Sequence, residues 1–312
     1  MNIYALSICI QPWIHKTFEE SYTLVQNMKS LQKNHPRGEF GSDLVYPVFS
    51  RRSKGLSVGI NLFPTIKTCN FNCPYCEVHP FQNDAIFSLE QLEADLIEFF
   101  QNQACGRFAS IPVRDICISG NGEPTLSPYF ASTLDACAKI RTAFSENAGK
   151  PDLVLITNGT GFLDESIAAV LHRAVSNDNL QIWAKLDAGS QDLFSAMSRS
   201  GFRLEAIVKA MTAFARRSPL TIQSMLCRLG EGEPTTEDAR RYAATISAMA
   251  DAGAKIQAIQ FYTVARTPLE PSVGPLTSQQ LRAHIKHILP RIPSAIPVRV
   301  YDETSEIRMD TE

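Results

Sequence analysis

Short apolar runs alternate along this chain with longer segments whose apolar residues recur every three or four positions. The short runs fall at 57–62, 115–119, 153–156, 180–186, 220–226 and 256–262. Leu153-Val154-Leu155-Ile156 is apolar throughout, as a strand buried on both faces of a parallel sheet should be. Between the runs lie amphipathic segments. Leu89, Leu92, Leu96 and Phe100 share one face of 88–103, and Phe130, Leu134 and Cys137 share another further on. Ile167, Val170, Leu171 and Ala174 follow, then Leu204, Ile207, Val208 and Met211 beyond a break at Ser200-Gly201. Tyr242, Ile246 and Met249 form the next stripe, and Leu281, Ile285 and Ile288 the last. Ser88 with Gln91, Thr235 with Asp238 and Thr277 with Gln280 have the spacing of capping boxes. Ser127-Pro128 reads as an N-cap followed by a first-turn proline, and 298–301 as a short final strand.

Six repeats of strand and helix predict a parallel α/β architecture, met equally by an open doubly wound sheet and by an incomplete barrel. The expected division is an N-terminal extension over 1–55, the repeating core over 56–268 and a C-terminal segment over 269–312. In the extension only 18–31 has a helical pattern, closed by His35-Pro36-Arg37-Gly38. Arg51-Arg52 with Lys54 is its densest basic spot, read either as a solvated loop or as a contact for substrate or phosphate.

Of 312 residues, 44% are hydrophobic, enough for a substantial core, and the net charge is −2. That balance gives no global support for a nucleic-acid partner and does not exclude a local patch. No stretch reaches the roughly 18–20 apolar residues of a membrane span. The apolar start at 2–14 lacks the basic residues of a signal peptide, so a cytoplasmic protein without membrane association is expected.

Eight cysteines change the picture. Cys69, Cys73 and Cys76 sit in one loop, Cys69-Asn70-Phe71-Asn72-Cys73-Pro74-Tyr75-Cys76, where close neighbours pair poorly and one thiol of three would be left over. Zinc asks for a fourth ligand, and no second Cys-x-x-Cys or His pair follows; His79 would complete a spacing that matches no structural zinc module. Three thiolates around a cluster with one open iron is the better reading. Cys9, Cys105, Cys117, Cys137 and Cys227 are scattered, and most lie in apolar patterns as buried free thiols do.

The Cys-x3-Cys-x2-Cys spacing, with aromatic Tyr75 before the last cysteine, resembles the radical S-adenosylmethionine (radical SAM) superfamily. The resemblance covers about residues 45 to 265. It implies a partial (β/α)6 barrel of parallel strands, with the N-terminal extension and a C-terminal helical and edge-strand segment. It implies a [4Fe-4S] cluster on Cys69, Cys73 and Cys76. The open iron would bind S-adenosylmethionine, whose reductive cleavage yields a 5′-deoxyadenosyl radical. It also implies an external one-electron reductant of flavodoxin or ferredoxin type, and a substrate the sequence does not identify.

Barrel folds place their chemistry at the C-terminal strand ends, and polar motifs collect there in this sequence. After 115–119 come Gly120, Asn121, Gly122, Glu123 and Pro124, where glycines permit close approach and a carboxylate suits an ammonium group. The family has a Gly-Gly-Glu-Pro-like motif for the methionine amino group at this place; Asn121 departs from it. After 153–156, Asn158 is a candidate contact to the ribose or methionine carboxylate. Alternation puts Trp183, Lys185 and Asp187 on one face. Lys185 and Asp187 are the candidate catalytic pair. Asp187 is also a candidate for the ribose hydroxyls, and Lys185 is read as a partner of Asp187, a grip on a carboxylate, or a Schiff-base amine if its pKa is depressed. Gln223 and Ser224 are two alternatives for an inward polar group, Val264 is a candidate adenine wall, and Arg266 a candidate for substrate anions. Cys227 reads as packed rather than substrate-facing, and His284 and His287 as helix-dipole partners rather than ligands.

Tyr46-Pro47-Val48, Ser50-Arg51-Arg52, Gly59-Ile60-Asn61-Leu62, Gly122-Glu123-Pro124-Thr125 and Lys185-Leu186-Asp187-Ala188 are similar to radical SAM proteins related to the wyosine-forming tRNA enzyme. That narrower likeness implies a nucleobase or other small-molecule substrate. Upstream cysteines for a second cluster are missing, since Cys9 alone precedes Cys69. The alternatives are an activase that places a glycyl radical on a partner protein, and a non-catalytic iron–sulfur electron carrier.

Overall fold

The computed structural model describes residues 42–103, 111–145 and 150–309. The expected helix at 18–31, Cys9 and Cys105 lie outside them. The chain opens with a hairpin, β1 (Val45–Ser50) and β2 (Gly55–Ile60), then alternates α1 (Leu89–Gln103), β3 (Val113–Ile118), α2 (Phe130–Ala143), β4 (Asp152–Thr157), α3 (Glu165–Asp178) and β5 (Leu180–Lys185). Two helices, α4 (Gln191–Ser198) and α5 (Leu204–Ala215), lead to β6 (Leu220–Met225) and the short β7 (Cys227–Leu229). The end of the chain runs α6 (Thr236–Asp251), β8 (Ile256–Tyr262), β9 (Val273–Pro275), α7 (Ser278–Lys286), β10 (Val298–Tyr301) and β11 (Glu306–Ile307).

Nine strands form one sheet in the order β1-β2-β3-β4-β5-β6-β8-β10-β11. From β2 to β10 every neighbouring pair is parallel, and an antiparallel strand lies at each edge. This order decides between the two architectures left open by the pattern. A doubly wound sheet reverses its strand order at a switch point; here the order never reverses. Right-handed crossovers therefore stack the helices on one face, and the sheet curls into a half-barrel with the other face inside.

The helix-facing side is the core. Leu56, Val58, Ile60, Ile116, Ile118, Leu153, Leu155 and Ile182 pack against Leu92, Leu96, Leu134, Cys137, Leu171 and Met211. Each fully buried leucine or isoleucine contributes on the order of 1.5–3 kcal/mol. The capping boxes at Thr235/Asp238 and Thr277/Gln280 form as the spacing predicts. At Ser88 only half forms: Ser88 accepts from the Gln91 amide, while the Gln91 side chain donates to Asp95. Helix α2 begins later than expected. Ser127 Oγ caps the Tyr129 amide in a turn after a short 3-10 segment, and the α-helix starts at Phe130.

Residues 45–50, assigned to the extension from their pattern, are an edge strand of the main sheet. Pro47 is accommodated because an edge strand has one side without a ladder. The tip of the β1–β2 hairpin reaches the opposite edge of the sheet. Arg51 donates to the Asp302 carbonyl, and Lys54 Nζ lies 2.7 Å from Glu306 Oε2. Side chains, rather than a backbone ladder, thus bridge the open flank of the half-barrel.

Candidate active site

The cysteine loop leaves the C-terminal end of β2 and is anchored along its length. At its base, Thr68 pairs with Gly122: the Thr68 amide donates to Asn121 O (3.1 Å) and the Glu123 amide to Thr68 O (2.9 Å). This contact requires glycine, since a Cβ at Gly122 would overlap the Thr68 carbonyl. Further along, the amides of Asn72, Leu269 and Glu270 bond to the carbonyls of Ser198, Cys76 and Pro74.

Glu123 lies under this loop, 2% exposed, with both oxygens engaged. Oε1 accepts from the hydroxyls of Thr125 (2.8 Å) and Thr157 (2.7 Å), and Oε2 from the Asn158 amide (2.7 Å). Asn158 Nδ2 in turn donates to Asn70 Oδ1 (2.7 Å) and approaches Cys69 Sγ at 3.9 Å. Glu123 and Asn158 therefore brace the backbone around Cys69. The hydrogen bonds Glu123 accepts come from the chain itself, and Oε2, with one donor, keeps room for another. Asn121 is likewise buried, its amide nitrogen and side chain tied to Asn61 and Phe63.

A second carboxylate, the half-buried Asp187, lies just beyond β5. Oδ2 accepts from the Tyr75 hydroxyl (2.5 Å), and Oδ1 from the Met225 amide (2.7 Å). Lys185 Nζ is 3.3 Å from Oδ1 and donates to the Tyr262 hydroxyl (2.5 Å), above the rings of Tyr75 and Tyr262. Burial alone would lower the Lys185 pKa. The Asp187 carboxylate and the Tyr262 oxygen outweigh it, so the ammonium is held above the ordinary lysine range. Of the three readings of Lys185, the ion pair is the one the geometry realises, and a depressed amine for Schiff-base chemistry is not present. Burial, then Asp187, also raises the Tyr75 phenol.

The inner face of the half-barrel encloses a cavity of about 290 Å³. Tyr75, Gly120, Lys185, Gln223 and Val264 from the sequence-derived set line it, as do Trp183, Arg266 and Cys76. Asn121, Gly122, Glu123, Pro124, Asn158, Asp187 and Ser224 are not in its lining. Gln223 and Ser224 resolve by alternation: Gln223 faces in, while Ser224 Oγ donates to the Leu186 carbonyl and pairs with the Tyr242 hydroxyl. Ser224 joins Asp187, Cys227 and His284 around a second, largely apolar cavity of about 210 Å³ behind the sheet. Burial pushes the Cys227 thiol up to about 12 and lowers His284. His284 is buried, and that burial works against the charged form a helix-dipole partner would carry.

The sequence reading left open Arg51 and Arg52, which turn into the main cavity from the hairpin tip. The Arg52 guanidinium lies 5.0 Å from the Tyr262 ring centre and 5.7 Å from that of Trp183. Burial, with the charges of Arg52 and Arg266, pushes Arg51 down to about 10. Arg266 is paired with Glu77 at 2.7 Å.

The three cysteines are half-buried free thiols. Burial raises Cys69 to about 11 and Cys73 to about 12, outweighing the opposing charges of Lys67 on Cys69 and Lys185 on Cys73. Among the described residues no group of three His, Cys, Asp or Glu side chains is set to hold a single metal ion. A cluster does not require that arrangement, because each thiolate binds a different iron. The donor set suits it: three thiols on one fixed loop, with the Phe71 amide 3.4 Å from Cys69 Sγ and Lys67 Nζ 3.5 Å from Cys76 Sγ to stabilise negative sulfur.

No protein-family model matches the chain. A UPF0026 protein of Synechocystis sp. is 30% identical over 192 residues, covering 59% of this chain and 64% of that protein. A UPF0026 protein of Helicobacter pylori is 34% identical over 110 residues, or 34% of this chain and 32% of the relative. The matches thus span less than two thirds of these curated relatives. Among solved structures, a radical SAM methyltransferase from Sphaerobacter thermophilus superposes with a TM-score of 0.57 at 16% identity, covering 82% of this chain and 69% of that one. The chain shares the fold of that structure, a mostly parallel half-barrel. No helix among the described residues is long and apolar enough to cross a membrane.

Proposed function

We propose that this chain is a radical SAM enzyme, with Cys69, Cys73 and Cys76 holding a [4Fe-4S] cluster and the substrate entering the 290 Å³ cavity. One observation carries the reading. The three-thiol loop is fixed at the C-terminal end of a parallel half-barrel and opens onto an enclosed cavity through Tyr75 and Cys76. When bound, the cluster would supply the electron that splits S-adenosylmethionine and yields a radical able to remove hydrogen from the substrate.

The chain's own residues prepare that site. Lys67 and the Phe71 amide offset charge on sulfur. Asn158 and Glu123 set the position of Cys69. Gly120 and Val264 lie in the cavity wall where a nucleoside would pack. Lys185, kept charged by Asp187, supplies a fixed cation beside Tyr75. The aromatic walls Trp183 and Tyr262 accord with a planar substrate such as a nucleobase, the class implied by the likeness to the wyosine-related subgroup. A plain electron carrier needs no such cavity.

The test is anaerobic reconstitution of the cluster, addition of S-adenosylmethionine and dithionite, and measurement of 5′-deoxyadenosine by mass spectrometry. Wild type is expected to form it, and a Cys69/Cys73/Cys76→Ala variant is not. A loaded cluster that neither cleaves nor spectroscopically binds S-adenosylmethionine would overturn the proposal.

A further inference from the structure

We propose that Arg52, supported by Arg51, anchors an oxyanion on the substrate, a carboxylate or a phosphate, inside the main cavity. The inference rests on that cavity being the active site. The charges around it do not cancel. Arg266 is neutralised by Glu77 and Lys185 by Asp187. Arg51 spends its hydrogen bond on a neutral acceptor, the Asp302 carbonyl. Arg52 has no ion pair and no hydrogen bond among the described residues; its contacts are the faces of Tyr262 and Trp183. Placement over aromatic rings uses the Arg52 charge without using its N–H groups, which stay able to take an oxyanion in two parallel bonds.

Asp115 lines the same cavity and its charge is felt by Arg52, but the two form no ion pair. Asp115 is 2% exposed and accepts from the Ser57 hydroxyl, and burial raises its pKa toward the neutral form against the pull of the Arg52 charge. Among the described residues, Arg51 and Arg52 thus face the cavity without a carboxylate in an ion pair with either. The Arg52 charge works against the charged form of Arg51, and a bound anion relieves that repulsion. A purely structural role for Arg52 would leave the cavity with no selectivity for anions.

The test uses the full chain, with Trp183 as reporter after Trp13→Phe removes the other tryptophan. Fluorescence is titrated with sodium phosphate, pyrophosphate and succinate, against sodium chloride at equal ionic strength. A saturable change with a phosphate or with succinate is expected, and the series that saturates identifies the oxyanion. Arg52→Gln is expected to weaken binding at least tenfold, and Arg52→Lys to retain part of it. No saturation by any anion, or equal affinity in Arg52→Gln, would overturn the proposal. So would displacement of the anion by saturating S-adenosylmethionine in calorimetry of the cluster-loaded protein, because the subsite would then serve the cosubstrate. None of the fluorescence arms needs a cluster, so failure of 5′-deoxyadenosine formation and failure of anion binding are separate results.

Discussion

Glu123, buried beyond β3, and Asp187, half-buried beyond β5, are two carboxylates at strand ends, and they are satisfied in opposite ways. Glu123 collects neutral donors: two threonine hydroxyls and backbone amides of its own barrel rim. Asp187 collects an ammonium, a phenol and one amide, and joins the cysteine loop to the barrel wall through Tyr75. The first arrangement is a brace and the second carries a charge. An acidic residue at a strand end does not reveal by itself which of these it will be.

The largest separation between them is expected from truncation at Asp187. Asp187→Ala leaves the Lys185 cation buried without its partner, at a cost of about 3–5 kcal/mol in urea denaturation. The sign of the pH dependence follows from the raised Lys185 value. The pair's contribution is complete below the ordinary lysine pKa of about 10.4 and fades only as pH climbs through the raised one. The gap between wild type and variant is therefore expected to stay level from about pH 6 to 9. A gap that closes across that window would show Lys185 to be neutral.

Glu123→Gln is expected to cost less, about 1–2 kcal/mol. Threonine hydroxyls can turn and accept from the new amide, whereas an ammonium cannot. A loss as large as that of Asp187→Ala would mean that Glu123 also carries an essential charge. Tyr75→Phe is the mildest change. It removes one of the bonds to Asp187 and is expected to cost about 1 kcal/mol, without altering the Lys185–Asp187 pair.

Much of the fold is legible in the sequence because buried parallel strands read as unbroken apolar runs and amphipathic helices as one-sided stripes. The run 153–156 is an example of the first and the inward stripe from Leu89 to Phe100 of the second. Strand β1 escapes that reading: it is an edge, interrupted by Pro47, and its turn rests on Lys54 at φ +56° rather than on a glycine. The candidate site is legible as positions and less so as directions. Lys185, Gln223 and Val264 reach the cavity, whereas Glu123 and Ser224 turn to the chain itself. Arg51 and Arg52 read equally as a solvated loop and as a contact for substrate or phosphate; only the curl of the sheet, which carries the hairpin tip across the open flank, brings them to the cavity. The Arg-Arg doublet was the available signal, and spacing in one strand cannot report a contact made across a barrel.

The anchoring of the cysteine loop has a thermodynamic consequence. Immobilising a flexible loop costs roughly 1–2 kcal/mol of backbone entropy per residue. Here that cost is met during folding, by the pairing of Thr68 with Gly122 and by the backbone hydrogen bonds that hold Asn72, Pro74 and Cys76. Whatever the three thiols receive is met by a preorganised receptor, so nearly all the free energy of its bonds goes into affinity rather than into ordering the chain.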